Sequence, residues 1–507
     1  MNRKGFIKRT SALVAGSLFI RNLTRNDRDL LIRNDFSSAT DLWRMSAFES
    51  GELIRQKKVS VKEVIEAHIE RIKAVNPLVN AVTLLLEEEA LKDANLKDLV
   101  LARNSEVNSL FGVPFSVKEN VDLEGYPTNE GVNLLKDNIA ATDSPHVGFM
   151  RKNGSIPIAR TNMPDFGLRY HTDNDLFGAT INPWNALITP GGSSGGDAVA
   201  VATGMVPIGL GNDYGGSIRY PAQCCGVCGL RPSRGRIAFS TKSLSQGSIS
   251  ESLRRFAVQG PIARRIQDLR LALKIMRSFD SRDPNWVPAP LDSDFKKPFK
   301  VAVITNPGNL GIDDSVKEAV KKAATILEKN GGLIEEIDSS ALRESAQLWI
   351  QIIATDIQQL HFSSINKYAS LAVRKFSENL VNLNTDQSLL HYVECLARIN
   401  GLAQAWDEFF QKYDVIIGPV SSRNPFTVGY DVKSLDSTKS LLESQALTIS
   451  INLLGFPSVA LPVEISNDIP QAIQIIGPLF NEIRCLEIAQ IIENEIGIFT
   501  PIDPKQI

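Results

Sequence analysis

Cysteine is scarce in this chain. Five cysteines in 507 residues, Cys224, Cys225, Cys228, Cys395 and Cys485, are too few and odd in number for a disulfide framework. Cys225 and Cys228 have the spacing of a redox or zinc pair, but no second Cys or His pair stands nearby. Small thiols packed beside Gly226 and Gly229 are the expectation there. Histidine is equally sparse: none of His68, His146, His171, His361 and His391 is paired at H-x-x-x-H spacing. No metal site is expected. Excess charge is missing too. The formal net charge is −2 and no run of five like charges occurs, so the footprint of a nucleic-acid binder is absent.

Long apolar runs are also missing. The nearest candidate, residues 11–20 (SALVAGSLFI), is too short to span a bilayer as a helix but suits the core of an export signal. It follows Arg3, Lys4, Lys8 and Arg9, and RKGFIK resembles a twin-arginine signal with Lys4 in place of the second arginine. No clear A-x-A cleavage site follows. Two expectations stay open, export to the periplasm or a cytoplasmic protein with a basic leader. Residues 1–42 are read as that leader and residues 43–507 as one large domain. With 43% hydrophobic residues, a chain of this length can bury a large core without disulfides or metals.

What is present is α/β patterning. Ser60 and Glu63 form a capping box ahead of Val61, Val64, Ile65, His68, Ile69 and Ile72, a one-sided helix expected to stop at Asn76-Pro77. His68 on that face reads as a packed histidine. Residues 110–117 and 156–160 read as buried strands. A strand at 299–304, a helix at 313–329 and a strand at 333–337 make a βαβ unit. Further strands are expected at 413–417 and 456–463, and a closing helix at 482–495. The fold class is therefore α/β, a mixed sheet covered by helices on both faces.

Three segments carry chemistry: GVPFSVKEN (112–120), PGGSSGGD (190–197) and GNDYGGSIRYPAQCCGVCGLR (211–231). A serine hydroxyl is a weak nucleophile and needs an adjacent base. A lysine can serve if burial keeps it neutral, and Lys118 ends an apolar strand. The glycines before Ser217 allow a tight turn whose N–H groups converge on an oxyanion. No lysine follows the glycines, so a phosphate-binding Walker loop is excluded.

These segments resemble the amidase signature family, which includes bacterial amidases, fatty acid amide hydrolases and the A subunit of tRNA-dependent amidotransferases. The resemblance extends in order through NGSIPIARTNMPDFG (153–167), NLLGFPSVALPV (452–463) and AIQIIGPLFNEIRCLEIA (472–489), about residues 43–495 in all. It implies an amidase that forms an acyl-enzyme and releases acid plus ammonia or an amine, with no metal or organic cofactor. Ser217 matches the nucleophile, Ser193 a bridging serine at a cis peptide, and Lys118 the general base and acid. The backbone N–H groups of Tyr214, Gly215, Gly216 and Ser217 match the oxyanion hole; Ser194, Asp213 and Arg219 match supporting positions. The expected partner is a small-molecule amide, with no nucleic acid and no obligate protein; a homodimer stays open. Asn212, Asp197 and Arg231 depart from the commonest pattern, and these departures are expected to bear on substrate rather than on chemistry.

Two rivals remain. Gly191-Gly192-Ser193-Ser194-Gly195 satisfies the G-x-S-x-G nucleophile elbow, with His361 or His391 as base, but Pro190 and two glycines break the strand an elbow needs. The other is the glutaminase component of a tRNA amidotransferase, whose loop typically reads SIRQPA where this chain has Tyr220.

Overall fold

The computed structural model describes residues 39–103, 106–240, 249–293 and 295–505. The basic leader through residue 38 lies outside the described residues. No helix among the described residues is long and apolar enough to cross a membrane.

Eleven strands form one mixed sheet: β1 Val82–Leu85, β2 Pro114–Lys118, β3 Ile156–Thr161, β4 Ile208–Asp213, β5 Cys228–Arg231, β6 Val258–Ala263, β7 Phe299–Val303, β8 Gly332–Glu336, β9 Val415–Pro419, β10 Ser458–Ser466 and β11 Ile469–Ile476. Their spatial order is β1-β3-β2-β4-β6-β5-β10-β11-β9-β7-β8. The triplet β3-β2-β4 is parallel, as is β9-β7-β8, and the strands between are antiparallel. The expected βαβ unit is β7, the helix Asp314–Lys329 and β8, with β7 and β8 parallel as such a crossover requires.

Strand side chains alternate between faces, and here both faces are apolar. Along β7 and β9, Phe299, Val301, Val303, Val415 and Ile417 enter one core, which Leu327 and Ile488 cover. Their neighbours Ala302 and Ile416 enter a second core with Trp349, Ile352 and Leu447. The predicted two-sided helical cover follows directly from these strands, whose buried positions are apolar on either face.

The first long helix forms with its capping box intact: Ser60 Oγ accepts the Glu63 N–H and Glu63 accepts the Ser60 N–H. It does not stop at Asn76-Pro77, as the sequence suggests, but runs Val61–Val79 and ends at Asn80 in the left-handed region (φ 49°). Proline in the last turn removes only one N–H, and Asn76 redirects the chain. Its Oδ1 accepts the N–H groups of Ala81 and Val82 at 2.9 and 2.7 Å, while its Nδ2 donates to the Val82 carbonyl at 2.8 Å. His68 is the packed histidine expected: it is fully buried against the Met205 carbonyl, and burial pushes its pKa down to about 3. All five cysteines are free and buried, also as expected.

Candidate active site

Because β2 and β4 are parallel neighbours, their carboxyl ends lie side by side, and such ends are where open α/β sheets place their ligands. Lys118 closes β2 and Asp213 closes β4. The segment 190–194 enters beside them and opens the helix Gly195–Ala202. The approach is so close that a Cβ on Gly211 would sit 2.7 Å from Ser194 Oγ, which explains the glycine in β4.

The Gly192–Ser193 peptide is cis, as the resemblance implies. Lys118 is fully buried, and its Nζ contacts three oxygens: it donates to Ser193 Oγ at 2.7 Å, Asn212 Oδ1 at 2.9 Å and Ser194 Oγ at 3.0 Å. Burial pushes its pKa down from the usual 10.5 to about 7, against the opposing charges of Asp197, Asp213 and Glu130. Asp197 lies beneath, its Oδ1 accepting from Ser116 Oγ at 2.8 Å and Thr161 Oγ1 at 2.7 Å. Burial raises the Asp197 carboxyl to about 6.

The departures from the usual motif therefore fall on the lysine. The sequence suggests that Asn212 and Asp197 bear on substrate. Instead Asn212 touches the amine directly, and Asp197 sets the charge beneath it. Arg231, by contrast, is structural: its guanidinium donates to the carbonyls of Pro232 and Phe256 at 3.1 and 3.2 Å.

Ser217 follows β4 in a loop held from inside by Asp213. That carboxylate accepts the N–H groups of Gly216 at 2.9 Å and Ile218 at 3.2 Å, and receives Arg219 through Nε and Nη2, both at 3.1 Å. Asn452 Nδ2 adds a bond at 2.7 Å. Burial would raise this carboxyl, but the charge and hydrogen bonds of Arg219, with Arg231 and Asn452, hold it well below the usual carboxylate range. Asp213 and Arg219 thus form one buried network beneath the Ser217 loop.

The resemblance implies four oxyanion donors. Gly216 departs from this, because its N–H points at Asp213, three residues back, and closes the loop. Among the described residues the N–H groups of Tyr214, Gly215 and Ser217 have no acceptor. Their carbonyls are turned away: Tyr170 Oη donates to the Gly215 carbonyl at 2.7 Å, and Trp349 Nε1 to that of Tyr214 at 3.3 Å. Ser217 is 8% exposed, and its carbonyl accepts the Ser194 N–H at 3.2 Å, which ties the two serine loops together. Its hydroxyl makes no hydrogen bond to Ser193 or Lys118 among the described residues.

The elbow reading of Ser193 fails on local structure. Residues 189–192 form no strand, and among the described residues no histidine is hydrogen-bonded to Ser193. No three His, Cys, Asp or Glu side chains among the described residues converge as a metal site requires. Tyr170 and Trp349 carry no sequence signal, because each acts through long-range contacts rather than a motif; Asn452 opens the segment 452–463, but nothing in that segment announces its bonds to Asp213 and Arg219.

The comparisons agree with this geometry. The Amidase family model matches residues 63–486. Indoleacetamide hydrolase of Bradyrhizobium diazoefficiens is 37% identical over 460 residues, covering 90% of this chain and 87% of that one. The A subunit of the glutamyl-tRNA(Gln) amidotransferase of Alkaliphilus metalliredigens is 30% identical over 482 residues, covering 89% and 96%. Among solved structures, 6-aminohexanoate cyclic dimer hydrolase complexed with substrate superposes with a TM-score of 0.79 at 26% identity, over 92% of this chain and 99% of that one. A bacterial aryl acylamidase of the amidase signature family gives 0.77 at 26% identity, over 90% and 96%. With a family model spanning most of its length and relatives matched nearly end to end, the chain belongs to the amidase signature family and is a hydrolase of carboxamide C–N bonds.

Proposed function

We propose that residues 43–507 act as one catalytic unit, without a partner chain, and cleave small carboxamides through an acyl-enzyme on Ser217. Ser193 is the relay, and Lys118 the base and then the acid. The observation that carries this reading is the buried Lys118 amine 2.7 Å from Ser193 Oγ.

The proton inventory around the amine supports the roles. An ammonium has three N–H groups for three oxygens; a neutral amine has two and a lone pair, so one contact must reverse. Asn212 Oδ1 can only accept, since its Nδ2 is committed to Asn120 Oδ1 at 2.7 Å. The Ser194 hydroxyl donates to the Asn212 carbonyl at 3.4 Å. Only the Ser193 O–H is left to donate to neutral Lys118, and its oxygen can then take the proton of Ser217. Ser217 attacks the carbonyl, and the N–H groups of Tyr214, Gly215 and Ser217 stabilise the oxyanion. The proton returns through Ser193 to the leaving nitrogen. Water then releases the acid by the same relay.

The aromatic walls near the loop, Tyr170, Tyr214 and Trp349, suit an aryl or arylacetyl acyl group, in keeping with the indoleacetamide hydrolase relative. Tyr220 weighs against a glutaminase component; it is buried and packs on Tyr170 and Phe426 at ring distances of 5.9 and 6.1 Å. The test is covalent. A fluorophosphonate should label Ser217, in the tryptic peptide ending at Arg219, and Ser217→Ala should lose the label. Rates alone will not assign the roles, because loss of any triad member costs about 10⁴- to 10⁶-fold. Label on Ser193 with Ser217 untouched would overturn the assignment.

A further inference from the structure

One acidic side chain at this site is used by no step above. Glu130 is half-buried, and its carboxylate makes no hydrogen bond or ion pair among the described residues. Glu119, next to Lys118, is a contrast: that residue is buried and engaged by Arg160, Thr83 and Asn129. Glu130 also holds a costly backbone conformation, φ 50°, which a non-glycine residue adopts only when its surroundings impose it.

Its position is fixed on two sides. The Glu130 N–H donates to the Glu119 carbonyl at 3.5 Å, one residue beyond Lys118. The Glu130 carbonyl accepts the Phe166 N–H at 2.9 Å, and the next residue, Gly167, lies so close to Ser193 that a Cβ there would be 3.4 Å from its Oγ. Glu130 and Lys118 also feel each other electrostatically, and burial raises the Glu130 carboxyl to about 7. The turn therefore belongs to the Lys118–Ser193 side of the site. In the proposed mechanism that is the leaving-group side, because the departing nitrogen must receive its proton from Ser193.

We infer that Glu130 is a specificity-determining residue of the leaving-group subsite, favouring unsubstituted carboxamides that depart as ammonia over amides with apolar N-substituents. The inference rests on the proposed roles of Lys118 and Ser193. An unsubstituted amide nitrogen offers N–H donors to the carboxylate and gains positive charge as its bond to carbon breaks, which a nearby anion stabilises. An alkyl or aryl substituent would strip water from the carboxylate and return no hydrogen bond.

The test compares phenylacetamide with N-methyl- and N-phenylphenylacetamide by kcat/KM, in the wild type and in Glu130→Ala and Glu130→Gln. The wild type should prefer the primary amide, and Glu130→Ala should cut that preference about tenfold or more, the value of a hydrogen bond to a charged group. Glu130→Gln keeps the shape and removes the charge. Because burial, with the charge of Asp122, raises the Glu130 carboxyl to about 7, this variant should cut the preference at pH 8.5, where wild-type Glu130 is ionised, and change it little at pH 5.5, where wild-type Glu130 is already protonated. A purely structural role would not make the effect of Glu130→Gln depend on pH. An unchanged preference in a Glu130→Ala enzyme that melts like the wild type, or an effect of Glu130→Gln that is the same at both pH values, would overturn the inference. Fluorophosphonate labelling run alongside keeps the outcomes apart: failure to label Ser217 would sink the acyl-enzyme reading instead.

Discussion

The state of Lys118 gives the most direct test of the catalytic reading. At pH 7 a lysine of ordinary pKa 10.5 is neutral in about one molecule in three thousand, whereas at a pKa of about 7 half the molecules are ready to act as base. The profile of kcat/KM reports groups of the free enzyme, so it should rise roughly tenfold between pH 6 and pH 8 and level off above. The perturbation is Asp197→Asn. Asp197 Oδ1 already accepts from Ser116 and Thr161, which an asparagine oxygen can continue to do, and its Oδ2 has no partner among the described residues. The variant therefore removes the charge and places an amide NH2 group where Oδ2 has no partner, a local cost that the melting temperature reads separately. Asp197 is ionised above about pH 6 and opposes the effect of burial on Lys118. Without that anion the ammonium loses support, the Lys118 pKa falls further, and the acidic limb moves to lower pH. The assay is ammonia release from a primary amide between pH 5 and 9, with the melting temperature of each protein as control. A flat wild-type profile with chemistry rate-limiting, or a limb that moved up in Asp197→Asn, would refute a neutral-lysine base.

Three further outcomes follow from the same geometry. Gly216→Ala should lower kcat/KM by about a hundredfold or more, because φ is +102° and the new Cβ would lie 2.5 Å from Thr448 Cγ2, displacing the loop that carries Ser217; near-normal turnover would show that the loop tolerates the shift. Asp213→Ala should destabilise the fold by about 3–5 kcal/mol in denaturant titration, since it strands the fully buried Arg219; a change within about 0.5 kcal/mol would mean that Arg219 finds other partners. Prolonged dialysis against a chelator should leave activity intact, and loss restored by zinc would refute the cofactor-free reading.

The parts of the molecule legible in the sequence are those with local causes. The Ser60–Glu63 capping box, the two-sided strands and the βαβ unit each follow from a handful of adjacent residues. The segments containing Ser193 and Ser217 are legible for a different reason: Gly209 and Gly211 of β4 pass so close to the Asp197 and Ser194 side chains that a Cβ would collide, so the packing leaves a readable mark. Asn76-Pro77 misleads because proline signals an end without fixing it, and the terminating residue, Asn80, acts through its own left-handed conformation. Tyr170 and Trp349 are illegible, and Asn452 is legible only as the start of the 452–463 segment, not in its role. Each reaches the Ser217 loop across the fold, and no spacing rule links Asn452 to Asp213.

Gly216 shows why the site needs its glycines for two separate purposes. The resemblance assigns all four N–H groups of residues 214–217 to the oxyanion, but a loop that tight must also satisfy the β4 terminus. Asp213 does so by accepting Gly216 N–H and Arg219 together, which leaves fewer donors for the ligand and makes their direction rigid. Tyr170 and Trp349 then tie down the Gly215 and Tyr214 carbonyls, so in the proposed mechanism the remaining N–H groups can serve the oxyanion without rearrangement. Donors fixed in advance are worth more in a dry site than mobile ones, because no reorganisation accompanies charge development. The same logic applies to the lysine. Three acceptors crowd Nζ, and burial rather than a lack of anions keeps it near neutrality, so removing a nearby carboxylate should make the base more available at low pH, not less.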